Sequence, residues 1–304
     1  MKNYLHNAKK EITKKPALYF MIVPVLLYFT IFCYAPMYGA IIAFKDYSPG
    51  KGILGSSWVG FTQFTDFFND IYFARLIRNT LRISITDLLI NFPLPIIFAL
   101  LLNEVGNMKF KKFVQSVSYV PHFISVVVVC GMVKQFVSDS GFITQFLSIF
   151  GVKQMNLLSE ARYYVPIHVL SNTWQGLGWG SIIYLSALSS IDGQLYEAAE
   201  LDGAGRLKRT WHVTLPGIAP TISILLIMRV GQLLAIGYEK NILLYNPAIY
   251  DTADIISSYV YRKGLLEFNW SYSTAVGLFN SVLNIILLVA ADLFSKKIGQ
   301  SGLF

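Results

Sequence analysis

Charge is scarce in this chain. Asp, Glu, Lys and Arg together make up 14% of its 304 residues, against about a quarter in a soluble domain of similar size. With 54% hydrophobic residues and a mean hydropathy of +0.52, that deficit excludes an ordinary soluble domain. It points to an all-α polytopic membrane protein made as one membrane domain. Cysteine is nearly absent as well. Cys33 and Cys130 both fall in apolar stretches, which argues against a disulfide and for small core residues. His6, His122, His168 and His212 are scattered over different segments with no metal-ligand spacing. No stretch has the G-x-x-x-x-G-K-[ST] spacing of a phosphate loop; the segment from Gly203 to Thr210 looks superficially like one but follows no strand. The chain therefore cannot hydrolyse ATP by itself. No nucleophile–base pair suits hydrolysis, and Asp87 and His122 have no spacing that would make them one. No internal repeat relates the two halves, which weakens an inverted-repeat secondary transporter.

What is present is a series of apolar spans. Six are expected, at about 17–44, 83–103, 113–133, 163–189, 218–238 and 271–291, within a membrane domain of 17–294. Lys2, Lys9, Lys10, Lys14 and Lys15 precede Pro16 like the basic region of a signal peptide. The apolar run that follows is too long and lacks a small-residue cleavage site, so an uncleaved first helix is expected. Aromatic residues (Trp58, Phe61, Phe64, Phe67, Phe68) mark 45–82 as an interfacial loop, and Phe142 to Phe150 suits a helix lying flat in the interface. Lys and Arg exceed Asp and Glu by eight. That excess clusters beside the spans and reads as a topology signal rather than a nucleic-acid surface. The segment 1–16, the loops 104–112 and 190–217 and the tail 295–304 carry Lys and Arg at nearly twice the density of the opposite side. They are expected in the cytoplasm, both termini included.

The polar loop 190–217 is the organising stretch. Asp192 can cap a short helix, along which Leu195, Ala198, Ala199, Leu201 and Asp202 recur at helical spacing as a narrow small-residue face. Gly203 and Gly205 are expected to break that helix by taking turn conformations. Arg206, Lys208 and Arg209 follow, and Pro216 opens the next span. Such an elbow suits close docking to another protein.

The same residues carry a resemblance. Glu197-Ala198-Ala199, Gly203 three residues further on, and Val213-Thr214-Leu215-Pro216 after nine more resemble the EAA loop, E-A-A-x3-G-x9-I-x-L-P, of binding-protein-dependent ABC importer permeases. The departure is Val213 for isoleucine. Segments from Pro36–Gly39 and Ala43–Tyr47 to Trp58–Gly60, Arg78–Leu81, Ile183–Leu185, Tyr245–Pro247 and Tyr259–Arg262 resemble the maltose-type sugar branch, with its LplB-like permeases for complex saccharides. The resemblance implies a type I importer permease fold with Glu197, Ala198, Ala199, Gly203, Leu215 and Pro216 at the ATPase contact. It implies a second permease subunit, two cytoplasmic ATPase subunits that hold ATP and Mg, and an extracellular solute-binding protein. The chain itself would be non-catalytic and without a cofactor, and would sit in a bacterial plasma membrane.

Polar residues inside spans are the candidate substrate path, because such groups are costly in hydrocarbon and tend to face a cavity or a partner. Arg229 reads either as a cavity-lining donor or as half of a buried pair with Asp87. Gln232, at i+3, shares its face, and Glu239 lies at the outer mouth of the same helix. Asn280 and Asn284 form an i, i+4 pair in the sixth span; Trp174, Gln175 and Trp179 cluster in the fourth near Gly176, Gly178 and Gly180. Sugars offer apolar C–H faces and hydroxyl edges, so aromatic platforms beside amides suit them. Those asparagines and glycines equally suit helix packing. The alternatives are an importer of a non-sugar solute, or an ion-coupled transporter with Asp87, Arg229 and Glu239 as relay. A membrane-embedded enzyme would need an acid or histidine cluster at the surface, and none is visible.

Overall fold

In the computed structural model, residues 14–297 and Gly302 are described. Most of 1–16 and of 295–304 therefore lies outside the described residues. Most of the described residues are helical; among them one antiparallel ribbon pairs β1, Lys45–Asp46, with β2, Ser57–Trp58. The ten principal helices are α1 (Pro16–Phe44), α2 (Phe73–Asn103), α3 (Met108–Phe123), α4 (Val126–Phe136), α5 (Ala161–Ser189), α6 (Gly193–Leu201), α7 (Arg206–Gly231), α8 (Tyr238–Leu244), α9 (Ile256–Tyr261) and α10 (Trp270–Lys297). Helices α1, α2, α7 and α10 are long and apolar enough to cross a membrane, and α3 with α4 would make a fifth span. A sixth rests on α5, whose 29 residues reach roughly 44 Å at 1.5 Å per residue. Polar residues dilute its hydropathy because it is the inner helix of the bundle, packed on α2, α3 and α7.

The distortions have local causes. Pro16 starts α1 at a position where no N–H is needed. Pro36 and Pro216 cannot donate to the turns before them, and each is preceded by a π-helical stretch, Phe29–Tyr34 and Thr210–Thr214. Gly178 permits the closest helix approach: a Cβ there would lie 2.2 Å from the Ser118 carbonyl oxygen on α3. Three apolar clusters hold the bundle. One, around Ile96, Ala99, Tyr184, Leu188 and Ile218, sits toward the elbow. The others, around Leu157, Tyr164, Leu244 and Ile249 and around Phe67, Leu76, Tyr259 and Val276, sit toward the ribbon.

Three expected spans differ. The second helix starts at Phe73 rather than 83, and is distorted where Asn91 and Phe92 meet Pro93. The third, expected as one helix over 113–133, is broken. Pro121 ends α3 in a 3-10 turn, Ser125 caps α4, and the two meet at 100°. The fifth, expected to reach 238, stops at Gly231. Asn284 Oδ1 accepts from the Leu234 amide at 3.0 Å and Asn280 Nδ2 donates to its carbonyl at 3.1 Å, so side chains from α10 satisfy the unwound backbone.

Candidate functional site

The elbow is built as the cap signals predict. Asp192 accepts from the Gln194 amide at 3.0 Å at the start of α6. At its end Gly203 takes φ +72°, with its amide on the Glu200 carbonyl at 3.0 Å and the Ala204 amide on the Ala199 carbonyl at 2.9 Å. Those two bonds are a Schellman motif, which needs the left-handed residue that glycine supplies without steric cost. Gly205, in contrast to its expected role, sits at φ −68° and ψ 170°, extended backbone open to any residue. Tyr196 Oη lies 3.0 Å from Thr214 Oγ1, tying α6 to the root of α7, and Arg206 approaches Glu104 at 3.8 Å. Glu197, Ala198, Gly203 and Pro216 are exposed, whereas Leu215 packs under the elbow against the Ile218 cluster. Leu201, Leu207 and Trp211 are 91%, 87% and 69% exposed, so apolar side chains surround the small-residue face. Surfaces of that kind mark protein contacts.

Inside the bundle, Asp87 on α2 is held by three donors. Arg229 forms an ion pair with Oδ2, while Asn91 and Asn172 donate to Oδ1 at 2.8 and 2.9 Å. The Asn172 oxygen in turn accepts from Lys240 Nζ at 2.5 Å. Two cavities meet at this junction, and Asn172 and Arg229 line both. The larger, about 550 Å³, runs toward the elbow past Asn91, Gln175, Trp179 and Tyr184; the smaller, about 170 Å³, runs toward the ribbon past Ser84, His168 and Gln232. His122 stacks on Trp179 with ring centroids 4.4 Å apart. Gln175 donates to the Ile124 carbonyl, freed by the break between α3 and α4, at 3.0 Å.

The expected path residues therefore divide. Arg229, Gln175, Trp179 and Gln232 line the junction, and both readings of Arg229 hold at once: it pairs with Asp87, yet half its side chain is exposed to the cavities. Trp174 points into a separate apolar cavity with Phe136, Ile143 and Leu170. Asn280 and Asn284 brace Leu234. Glu239 lies on α8, past the end of the helix expected to carry it, and is exposed away from both polar cavities. Sequence reasoning missed Asn91, Asn172, His122, His168, Ser84 and Lys240. One signal was available, since Asn172, Gln175 and Trp179 fall at i, i+3 and i+7 on one face of α5.

At the ribbon end carboxylates are held by short ion pairs and hydroxyl bonds. Asp254 is fully buried between Arg262, at 2.6 Å, and Arg75, at 3.4 Å. Burial pushes the Asp70 carboxyl up, but hydroxyls from Tyr259 at 2.5 Å and Tyr272 at 2.7 Å and the Tyr72 amide hold it below its usual 3.8.

A helical bundle with a polar cavity running from its middle toward an exposed elbow is the build of a membrane permease. The chain belongs to the family of binding-protein-dependent transport system inner membrane components, which matches residues 91–300. Protein LplB of Bacillus subtilis (strain 168) is 47% identical over 94% of this chain and 91% of its own length. The polygalacturonan/rhamnogalacturonan transport system permease protein YteP of the same strain is 43% identical over 97% and 92%. The crystal structure of a bacterial ABC transporter involved in the import of the acidic polysaccharide alginate superposes with a TM-score of 0.88 at 41% identity, covering 97% of this chain and 100% of that one. The fold is thus that of an ABC importer permease.

Proposed function

We propose that this chain is one transmembrane subunit of an ATP-driven importer of oligosaccharides, working by alternating access in a bacterial plasma membrane. The observation that carries the reading is the larger cavity, where the Gln175 amide, Arg229 and the stacked His122 and Trp179 rings meet, in a chain similar over nearly its whole length to a polygalacturonan/rhamnogalacturonan permease. Amides pair with hydroxyls in either sense, and the His122–Trp179 stack offers a ring face for a sugar's C–H surface. The larger cavity falls in the size range of small-molecule sites.

The elbow, with Glu197, Ala198, Ala199 and Gly203 at its surface and Leu215 and Pro216 at its root, docks on a cytoplasmic ATPase. Two such ATPase subunits, a second permease and an extracellular solute-binding protein complete the assembly. ATP and Mg belong to the ATPases, and this chain is non-catalytic, with both termini in the cytoplasm. ATP-driven closure draws the elbows together and opens the bundle at the ribbon end; hydrolysis restores the state open at the elbow end. Transport then follows from different substrate affinity in the two states, biased through the elbow. The test is the assembled importer in liposomes. Binding protein loaded with an oligosaccharide should stimulate its ATPase, and uptake should vanish without the ATPase subunit. Stimulation only by an amino-acid- or peptide-loaded binding protein would overturn the substrate class, and uptake persisting without the ATPase would overturn the mechanism.

A further inference from the structure

The two cavities have a charge imbalance that a neutral sugar does not require. The larger has Arg229 as its one charged lining side chain among the described residues, and the smaller adds Asp87. Asp87 is spent: Oδ1 takes two amides, Oδ2 takes Arg229, and its side chain is 10% exposed. Arg229 is not. It uses Nη2 alone on Asp87, no hydrogen bond among the described residues engages Nε or Nη1, and its side chain is 50% exposed. Lys240, itself buried, adds a second cation one hydrogen bond behind Asn172. Two positive charges thus stand against one negative at the junction, where an uncompensated charge attracts an anionic ligand. In the smaller cavity Ser84 Oγ and His168 Nδ1 are buried, line the wall and have no partner.

We infer that this track is built for saccharides bearing carboxylates, and that Arg229 is the specificity-determining residue that receives one. The inference rests on the oligosaccharide importer reading and narrows its substrate class. The free edge of the guanidinium can take both oxygens of a carboxylate while Nη2 keeps its bond to Asp87, the forked geometry for which arginine is suited and lysine is not. The amides of Asn91 and Asn172 are occupied in holding Asp87, so they orient Arg229 rather than bind the ligand. Ser84 and His168 supply polar atoms for a hydroxyl or a second carboxylate further along.

The experiment measures equilibrium binding to the purified, assembled importer of two probes, trigalacturonate and the same trisaccharide with its carboxyls reduced to alcohols. The wild-type complex should hold the acidic probe about tenfold more tightly or better, as expected for a charge-assisted bidentate pair, and raised salt should shrink the difference. Arg229→Gln should erase the preference, lowering affinity for the acidic probe by more than for the neutral one. The double variant Asp87→Asn/Arg229→Gln, which removes both charges and so avoids stranding Asp87, should do the same, and Arg229→Lys should keep part of it. Equal wild-type affinity for both probes, or a preference that survives in the double variant, overturns the inference and leaves the importer reading standing. Failure of both trisaccharides to bind, with binding of a non-sugar solute, overturns the oligosaccharide reading itself.

Discussion

Asn280 and Asn284 carry no charge and touch no cavity junction, yet they decide where α7 ends. Each supplies one hydrogen bond to Leu234 that a continuing helix would have made internally. Asn284→Ala should therefore cost about 1–3 kcal/mol through a buried amide left unpaired, read as a lower melting temperature in detergent, with substrate preference unchanged. A changed preference at normal stability would put the residue in the path after all. Gly203 acts through its backbone. A leucine at φ +72° incurs roughly 1–2 kcal/mol of left-handed strain and disturbs the Schellman turn that shapes the proposed docking face. Gly203→Leu should insert and assemble normally but lose transport while ATP is still hydrolysed; intact transport would remove the residue from the coupling surface. The Asp192 cap and the Gly203 turn were readable because each depends on neighbours within a few positions. The partners of Arg229 were readable only as a pair of options, since Asn91 and Asn172 converge on Asp87 from two helices.

The broken elements share a location. Asn91 and Phe92 at the distortion of α2 line the larger cavity, the break between α3 and α4 presents the Ile124 carbonyl to Gln175, and Gln232, Leu233 and Ala235 to Gly237 beyond α7 line the smaller cavity. Non-helical backbone at membrane depth survives where protein or a cavity satisfies it, so the irregularities mark the track as clearly as the polar side chains do. Two of the three were signposted by Pro93, Pro95 and Pro121. The third was not, because no proline stands between Gly231 and Gly237 and the groups that end the helix come from α10. The Gly178 contact is also an element-scale feature. Gly178→Ala places a methyl 2.2 Å from the Ser118 carbonyl and should force α3 from α5, lowering yield and melting temperature together. Gly176→Ala, where nothing lies within 4 Å of the added carbon, should be silent; equal behaviour of the two variants would show that the helices are not held at this spacing.

At the scale of the molecule the two ends differ in character. The ribbon end is stitched by Asp254 with Arg262 and Arg75 and by Asp70 with two tyrosines, while the larger polar cavity extends from the junction toward the elbow. Because folding depresses the Asp70 pKa, its contribution to stability is present above the unfolded-state value and is lost as pH falls through the lower folded one. Asp70→Asn should thus flatten the loss of melting temperature on acidification below about pH 4; an unchanged slope would assign that loss to other carboxylates. Helix α1 stands apart from all of this. No side chain of Pro16–Tyr28 is buried, and the main contacts of the helix with the rest of the bundle run from Tyr38–Phe44 to α10 and to Thr62–Phe68. It precedes the other spans in the chain and gains little from packing on them, so in the membrane its surface is left to lipid or, in the importer we propose, to the second subunit. If the chain assembles as we propose, an unassembled copy carries one span tethered at a single end, which gives membrane quality control a physical means of telling an orphan subunit from a finished transporter.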